Sequence, residues 1–154
     1  RLCAGADEMT DRKTITFDRQ IKAPVAVVWN ACTDPKILPT WWGPKGFSCK
    51  TKQIDLRDRC IWRFDMIGPD GAVYPNRQRY TAYEKHRLIA YILDDDGGGM
   101  PPIEATIAFA ANGDATLLTL AMRFATPEAC EGAKAFGAVE LGKTTFAKLA
   151  ALVE

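Results

Sequence analysis

Residues 46–67 read Gly46-Phe47-Ser48-Cys49-Lys50-Thr51-Lys52-Gln53-Ile54-Asp55-Leu56-Arg57-Asp58-Arg59-Cys60-Ile61-Trp62-Arg63-Phe64-Asp65-Met66-Ile67. Apolar and polar side chains alternate on either side of Arg57-Asp58-Arg59. That pattern predicts two long antiparallel strands, over 46–56 and 60–67. A turn centred on 57/58 or on 58/59 gives the same faces, because directly opposed residues share a face. One face then carries Phe47, Cys49, Thr51 and Gln53 with Trp62, Phe64 and Met66, and is expected to be the core face. The other carries Lys50, Lys52 and Ile54 with Ile61, Arg63 and Asp65, and is expected to be wet. Either register separates Cys49 and Cys60 by roughly 20 Å, at about 3.4 Å per residue, too far for a disulfide.

Upstream, residues 14–22 alternate with Ile15, Phe17, Arg19 and Ile21 on one side, which predicts a half-buried strand. Ala23-Pro24 starts a helix, since proline fits a first helical position, with Val25, Val28, Trp29 and Cys32 on its apolar face. Asp34-Pro35 caps a second, short helix that Pro39 limits. Downstream, Gly68-Pro69-Asp70-Gly71 is a turn. The strand over 73–84 is phased with Tyr74, Tyr80 and Ala82 inward and Arg77 and Arg79 in water. Strands over 86–94, 103–111 and 115–124 follow, the last two joined at Asn112-Gly113. Ile107, Phe109, Leu118, Leu120, Met122 and Phe124 face inward. Asp94-Asp95-Asp96-Gly97-Gly98-Gly99-Met100-Pro101-Pro102 reads as one long solvated loop.

Thr126-Pro127-Glu128 opens a last helix with a cap, a proline and an acid at the positive dipole end. One helix is expected to about Val153, with a stripe of Ala129, Ala133, Phe136, Val139, Phe146, Leu149 and Val153. The order is strand, two helices, six strands, long helix. An α+β fold satisfies it: one curved antiparallel sheet of about six or seven strands gripping a C-terminal helix.

The whole chain has 154 residues, 47% hydrophobic and 25% charged, which is an ordinary globular balance. Residues 14–154 are expected to form a single domain and residues 1–13 a tail. No apolar stretch follows Arg1-Leu2-Cys3-Ala4-Gly5, so no signal peptide is expected there. A net charge of +1 argues against nucleic-acid or membrane-surface binding, both of which need a basic excess. Five cysteines without a C-x-x-C spacing predict free thiols in a reducing cytoplasm, with neither a disulfide framework nor a zinc site.

These elements and residues resemble the SRPBCC superfamily, also called START-like or helix-grip. The nearest branch is the one named after the activator of the heat-shock-protein-90 ATPase. Carrying the resemblance are Ala23-Pro24, Trp29, Thr33-Asp34-Pro35, Trp41-Trp42-Gly43-Pro44 and Gly46-Phe47. Further on come Asp55-Leu56-Arg57, Trp62-Arg63-Phe64-Asp65-Met66, Gly68-Pro69-Asp70-Gly71 with Tyr74, and the late Leu149 and Leu152. The match spans about residues 14–153. Two departures stand out. Arg59-Cys60 replaces a usual pair of glycines, and Leu141-Gly142 stands where the family often has Gly-Trp. The resemblance implies the helix-grip fold. It leaves the function open among co-chaperones, ligand carriers and resistance proteins.

Several motifs have a plain structural explanation. Gly137-Ala138-Val139-Glu140-Leu141-Gly142-Lys143-Thr144 spells a phosphate-binding loop. It sits inside a predicted helix with no strand before it, so it is expected to be inert. Ser48 and His86, the single serine and histidine, fall on an outward face and at a hairpin turn, which does not suit a triad. Three adjacent aspartates lack the alternation of a calcium loop. Cys49 is expected to be a buried, unreactive thiol. Trp41-Trp42 either gates a pocket or packs against the sheet end.

The expected function is non-catalytic binding of a small apolar or aromatic molecule between sheet and last helix, with no cofactor and no metal. The expected walls are Trp42, Trp62, Phe64, Met66, Tyr80, Ile107, Phe109, Leu120 and Met122, with Phe136 and Phe146 as lid. Tyr74, Tyr80, Thr51 and Gln53 are expected to orient the ligand. Wall positions such as Phe64 and Phe146 should be less tightly packed than Phe17 and Trp29. The alternatives are a chaperone-binding or other protein-binding factor, marked by an exposed patch at Trp41 or Trp42, and a cyclase- or hydrolase-type enzyme. The enzyme would need an acid or base in the pocket.

Overall fold

The computed structural model describes residues 12–154; Cys3 and the predicted tail up to residue 11 lie outside them. The described residues form strands β1 (Thr14–Ile21), β2 (Ser48–Ile54), β3 (Ile61–Ile67), β4 (Val73–Glu84), β5 (Leu88–Asp94), β6 (Ile103–Asn112) and β7 (Ala115–Arg123). They also form helices α1 (Val25–Thr33), α2 (Leu38–Trp41), α3 (Pro127–Phe136) and α4 (Ala138–Val153). The strands make one antiparallel sheet in the order β1-β7-β6-β5-β4-β3-β2. Because β1 and β2 lie at opposite edges, α1 and α2 carry the chain from one edge to the other. Helix α4 covers the inner face, and the core lies between them around Phe17, Trp62, Phe64, Phe146 and Leu149. This is the α+β helix-grip architecture.

Two bulges alter the expected faces. Thr51 pairs with Phe64 but Gln53 pairs with Arg63, leaving Lys52 as the extra residue. Beyond it the pleat reverses. Ile54, opposite Trp62, packs on the core, while Gln53 turns outward to accept a long hydrogen bond from Arg63 (Nη1 to Oε1, 3.5 Å). A regular strand would have buried the amide and wetted the isoleucine, and the hydrophobic gain of Ile54 selects the bulge. A second bulge between Tyr80 and Ala82 puts Tyr83, opposite Ile89, on the inner face in place of the expected Ala82.

The last helix is two helices. Gly137 adopts φ 95°, and its amide closes onto the Lys134 carbonyl at 3.0 Å. A left-handed glycine after a helix is a common stop signal, and it redirects α4 away from the line of α3. Thr126 caps α3 as expected, its hydroxyl accepting from the Ala129 amide at 3.1 Å. Two proline assignments also shift. Pro24 is the extended residue before α1, and Pro39 lies in the first turn of α2, where it starts the helix.

The aspartate run is not a solvated loop. Asp94 is 5% exposed and takes the Arg77 guanidinium on both oxygens at 2.9 and 2.7 Å, with Arg79 at 3.4 Å. Asp96 takes Arg63 at 2.9 and 3.1 Å, and Lys52 bridges Asp65 at 3.0 Å and Asp96 at 3.8 Å. The outer face of β2–β5 is thus a ladder of ion pairs.

Two predictions follow from this packing. A Cβ at Gly142 would lie 2.4 Å from the Phe17 ring, whereas one at Gly132 meets nothing within 4 Å. Gly142→Ala should lower stability by about 1–2 kcal/mol, because overpacking outweighs the helix propensity gained. Gly132→Ala should raise it by about 0.5–1 kcal/mol; chemical denaturation of both reads the opposite signs. The hydrogen-bonding Arg77 fork holds the Asp94 carboxyl below its usual range, against the opposing effect of burial. Arg63 does the same for Asp96. A depressed carboxyl stabilises the fold fully above its unfolded pKa, near 4, and loses that contribution as pH falls through the folded value. Asp94→Asn should therefore melt below the wild type at pH 7, and the gap should shrink steadily below about pH 4.

Candidate functional site

Between the start of α4 and the inner face of β3–β5 lies a cavity of about 330 Å³. Its far wall is Leu120 and Met122 of β7 with Leu93 and Tyr91 of β5. Helix residues Ala138, Leu141, Thr145 and Phe146 form the roof, and Trp42 and Met66 close the side. Phe136, 76% exposed, stands at the rim just before the Gly137 break. Asn76 and Gln78 of β4 are the two carboxamides on the wall.

The loop from Trp42 to Phe47 forms the mouth, and α4 holds it in place. Lys148 Nζ donates to the carbonyls of Gly43 at 3.1 Å, Phe47 at 3.2 Å and Pro44 at 3.4 Å. Desolvation lowers the Lys148 pKa. Cys49 donates its thiol to the Trp42 carbonyl at 3.4 Å. Burial pushes that thiol up to about 12, against the pull of Lys148, so it is protonated and unreactive at neutral pH. Cys32, Cys49, Cys60 and Cys130 are all free thiols.

Of the residues expected to bind, Trp42, Met66, Leu120, Met122, Phe136 and Phe146 line the cavity. Tyr80 and Ile107 lie deeper, around a void of about 10 Å³. Trp62 and Phe64 are fully buried and stacked at 3.8 Å. Phe109 packs on Trp29 at the other end of the core, ring centroids 5.0 Å apart. Thr51 accepts from Trp62 Nε1 at 3.1 Å and does not reach the cavity. Tyr74 is half exposed beside Phe47, and Gln53 is outside. The expected packing contrast also fails: Phe64 and Phe146 are 0% and 1% exposed against 7% for Phe17, and Trp29 is only partly buried. Phe146 both walls the cavity and packs on Phe17, ring centroids 5.4 Å apart and tilted by 56°.

The tryptophan pair divides its tasks. Trp41 is buried and donates Nε1 to the Ala31 carbonyl at 2.9 Å, tying α2 to α1. Trp42 turns into the cavity, edge-on to Tyr91 at 6.4 Å. Asn76, Gln78 and Tyr91 were not among the expected site residues. The signal existed: with Tyr74 and Tyr80 inward, residues 76 and 78 must share their face.

A wider depression of about 490 Å³ lies outside the sheet, but Lys13, Arg79, Glu104 and Arg123 are four of its eight lining residues. Half its lining is charged, whereas the inner cavity has the mainly apolar walls of a small-molecule site. The phosphate-loop match is structurally inert: Gly137 ends a helix, Gly142 admits Phe17, and Lys143 pairs with Glu140 at 3.6 Å on the surface. Among the described residues no cluster of His, Cys, Asp and Glu could hold a metal, and no helix is long and apolar enough to cross a membrane.

A family model described as Activator of Hsp90 ATPase homolog 1-like protein matches residues 22–154. The chain belongs to this family. A structure from Nitrosomonas europaea superimposes with a TM-score of 0.82 at 23% identity, over 92% of this chain and 94% of that one. One from Chromobacterium violaceum is 28% identical with a TM-score of 0.76, over 92% and 97%. The solution structure of an AHSA1-like protein from Aeromonas hydrophila gives 0.71 at 19%, over 92% and 95%. No curated protein matches the chain. Family and fold together support a ligand-binding or co-chaperone-like domain.

The mouth generates a paired test. Lys148→Met removes three charge-assisted hydrogen bonds and should cost about 1–2 kcal/mol in denaturation. Lys143→Met loses only an exposed ion pair and should change stability by less than about 0.5 kcal/mol.

Proposed function

We propose that the protein binds a small apolar or aromatic molecule, without transforming it, in the cavity between the sheet and α4. The observation carrying this proposal is the cavity itself. It has mainly apolar walls and a volume of about 330 Å³, within the size range of small-molecule sites, where a few polar groups orient a mainly apolar ligand. Its lining supplies no carboxylate, imidazole, thiol or amine, which favours binding over acid–base catalysis. Met66 and Met122 suit aromatic contacts and tolerate varied shapes. The domain would extend over residues 14–154, working in the cytoplasm.

Protein binding is the second proposal, supported by the family's namesake and by exposed Val27 and Leu152 beside a groove between α1 and α4. The patch it was expected to use is turned inward, since Trp41 is buried and Trp42 faces the cavity.

Ala138 lines the cavity at the first position of α4. Ala138→Trp should fill the space and abolish uptake of the neutral fluorophore N-phenyl-1-naphthylamine, with little loss of thermal stability. Uptake undiminished in a folded variant, or none by the wild type, would remove the cavity as the binding site.

A further inference from the structure

Gln78, on the cavity wall, carries a buried side-chain nitrogen without a hydrogen-bond partner among the described residues. It is 2% exposed and lies between Trp62 on β3 and Leu93 on β5. The Tyr80 hydroxyl donates to its Oε1 at 3.0 Å, while its Nε2 has no partner.

The direction of that amide follows from Tyr80. The phenol is enclosed by apolar and aromatic neighbours, and burial keeps it protonated. Its proton needs an acceptor, and Oε1 is the one within reach. Turning the amide over would orphan the hydroxyl proton instead. Oε1 therefore faces Tyr80, and Nε2, on a residue that lines the cavity, is left with both protons unpaired. A buried amide donor is normally paired, so this one marks where a ligand acceptor belongs.

The rest of the lining narrows the ligand. No lining side chain is charged at neutral pH, so a carboxylate or phosphate would be buried without a counter-ion. An apolar cavity of about 150 Å³ accommodates one benzene, and this one, of about 330 Å³, has room for two or three fused rings. Trp42, Tyr91, Phe136 and Phe146 offer ring faces and edges, and Met66 and Met122 offer thioethers that pack well on aromatics.

We propose that the cavity selects a neutral two- or three-ring aromatic ketone, whose carbonyl oxygen accepts from Gln78 Nε2. The assignment rests on the cavity being a binding site. Gln78 is then the specificity residue, and Tyr80 positions it by fixing the amide.

Three tricyclic probes of one shape test it: 9-fluorenone, with a carbonyl acceptor; fluorene, with no polar group; and carbazole, which only donates. Titration calorimetry of the wild type should rank fluorenone at least about tenfold tighter than either of the others, because a site built to pair a polar group rejects the analogue lacking it. Gln78→Met keeps the volume and should equalise fluorenone and fluorene, while fluorene still binds. Should that variant fail to fold, the Gln78 side-chain amide protons of the wild type provide the second readout. They should shift downfield in NMR with fluorenone and not with fluorene. Equal binding of fluorenone and fluorene by the wild type would overturn the role of Gln78 while leaving the cavity a binding site. A preference for carbazole would overturn it too, by placing Oε1 toward the ligand. Binding of none of the three would overturn the cavity reading itself.

Discussion

The Phe17 ring lies against the backbone of helix α4 at Gly142, and that contact sets how near the helix can come to the sheet. Only a residue without a Cβ permits it, since an added Cβ would lie 2.4 Å from the ring. One turn further, the tilted ring of Phe146 packs on Phe17, and Leu149 and Ala150 continue the buried seam. The helix is therefore fastened tightly along β1. Toward β3–β5 the gap is bridged by Phe146, Leu141 and Ala138 without being filled, and the cavity occupies what remains.

The left-handed Gly137 ends α3 beside the cavity and leaves Phe136 at its rim, largely exposed. The bulge at Lys52 sends Gln53 outside and brings Ile54 to Trp62, so the sheet's far edge is sealed with hydrocarbon. Behind the cavity floor, Trp62 and Phe64 stack as solid core. Polar groups are scarce in this layer, and among the described residues Gln78 Nε2 and the Tyr83 hydroxyl are buried in it without a partner, against the usual rule that such groups are paired.

Much of the fold was legible because its signals are strong and local. Alternation fixed the strands on either side of Arg57-Asp58-Arg59, the Thr126-Pro127-Glu128 cap fixed the start of α3, and the Trp-Trp-Gly-Pro segment carried the family. The bulges were not legible, because one extra residue reverses a pleat without changing composition. The Gly137 break was hidden by an apolar spacing that runs on across it. At the site, Trp42, Met66, Leu120 and Met122 followed from face assignments, whereas depth did not: Tyr80 and Phe109 share the inner face yet sit away from the cavity. Asn76 and Gln78 escaped because the inward phase of β4 was read from Tyr74, Tyr80 and Ala82 alone, although the same alternation carries residues 76 and 78. The aspartate run looked like a loop since its partners, Arg63 and Arg77, come from strands more than fifteen residues away in sequence.

The picture that results is a rigid charged outer face, a tightly fastened helix and one hollow between them with a donor waiting in its wall. Its central claim is that the hollow is occupied in the working protein. The most direct test is a crystal structure of the protein purified from its own cells without denaturation. The account predicts flat, continuous density between Trp42 and Met122, with an acceptor atom at hydrogen-bond distance, about 2.9 Å, from Gln78 Nε2. A cavity closed by Phe136 turned inward, or filled throughout by ordered water, would contradict it.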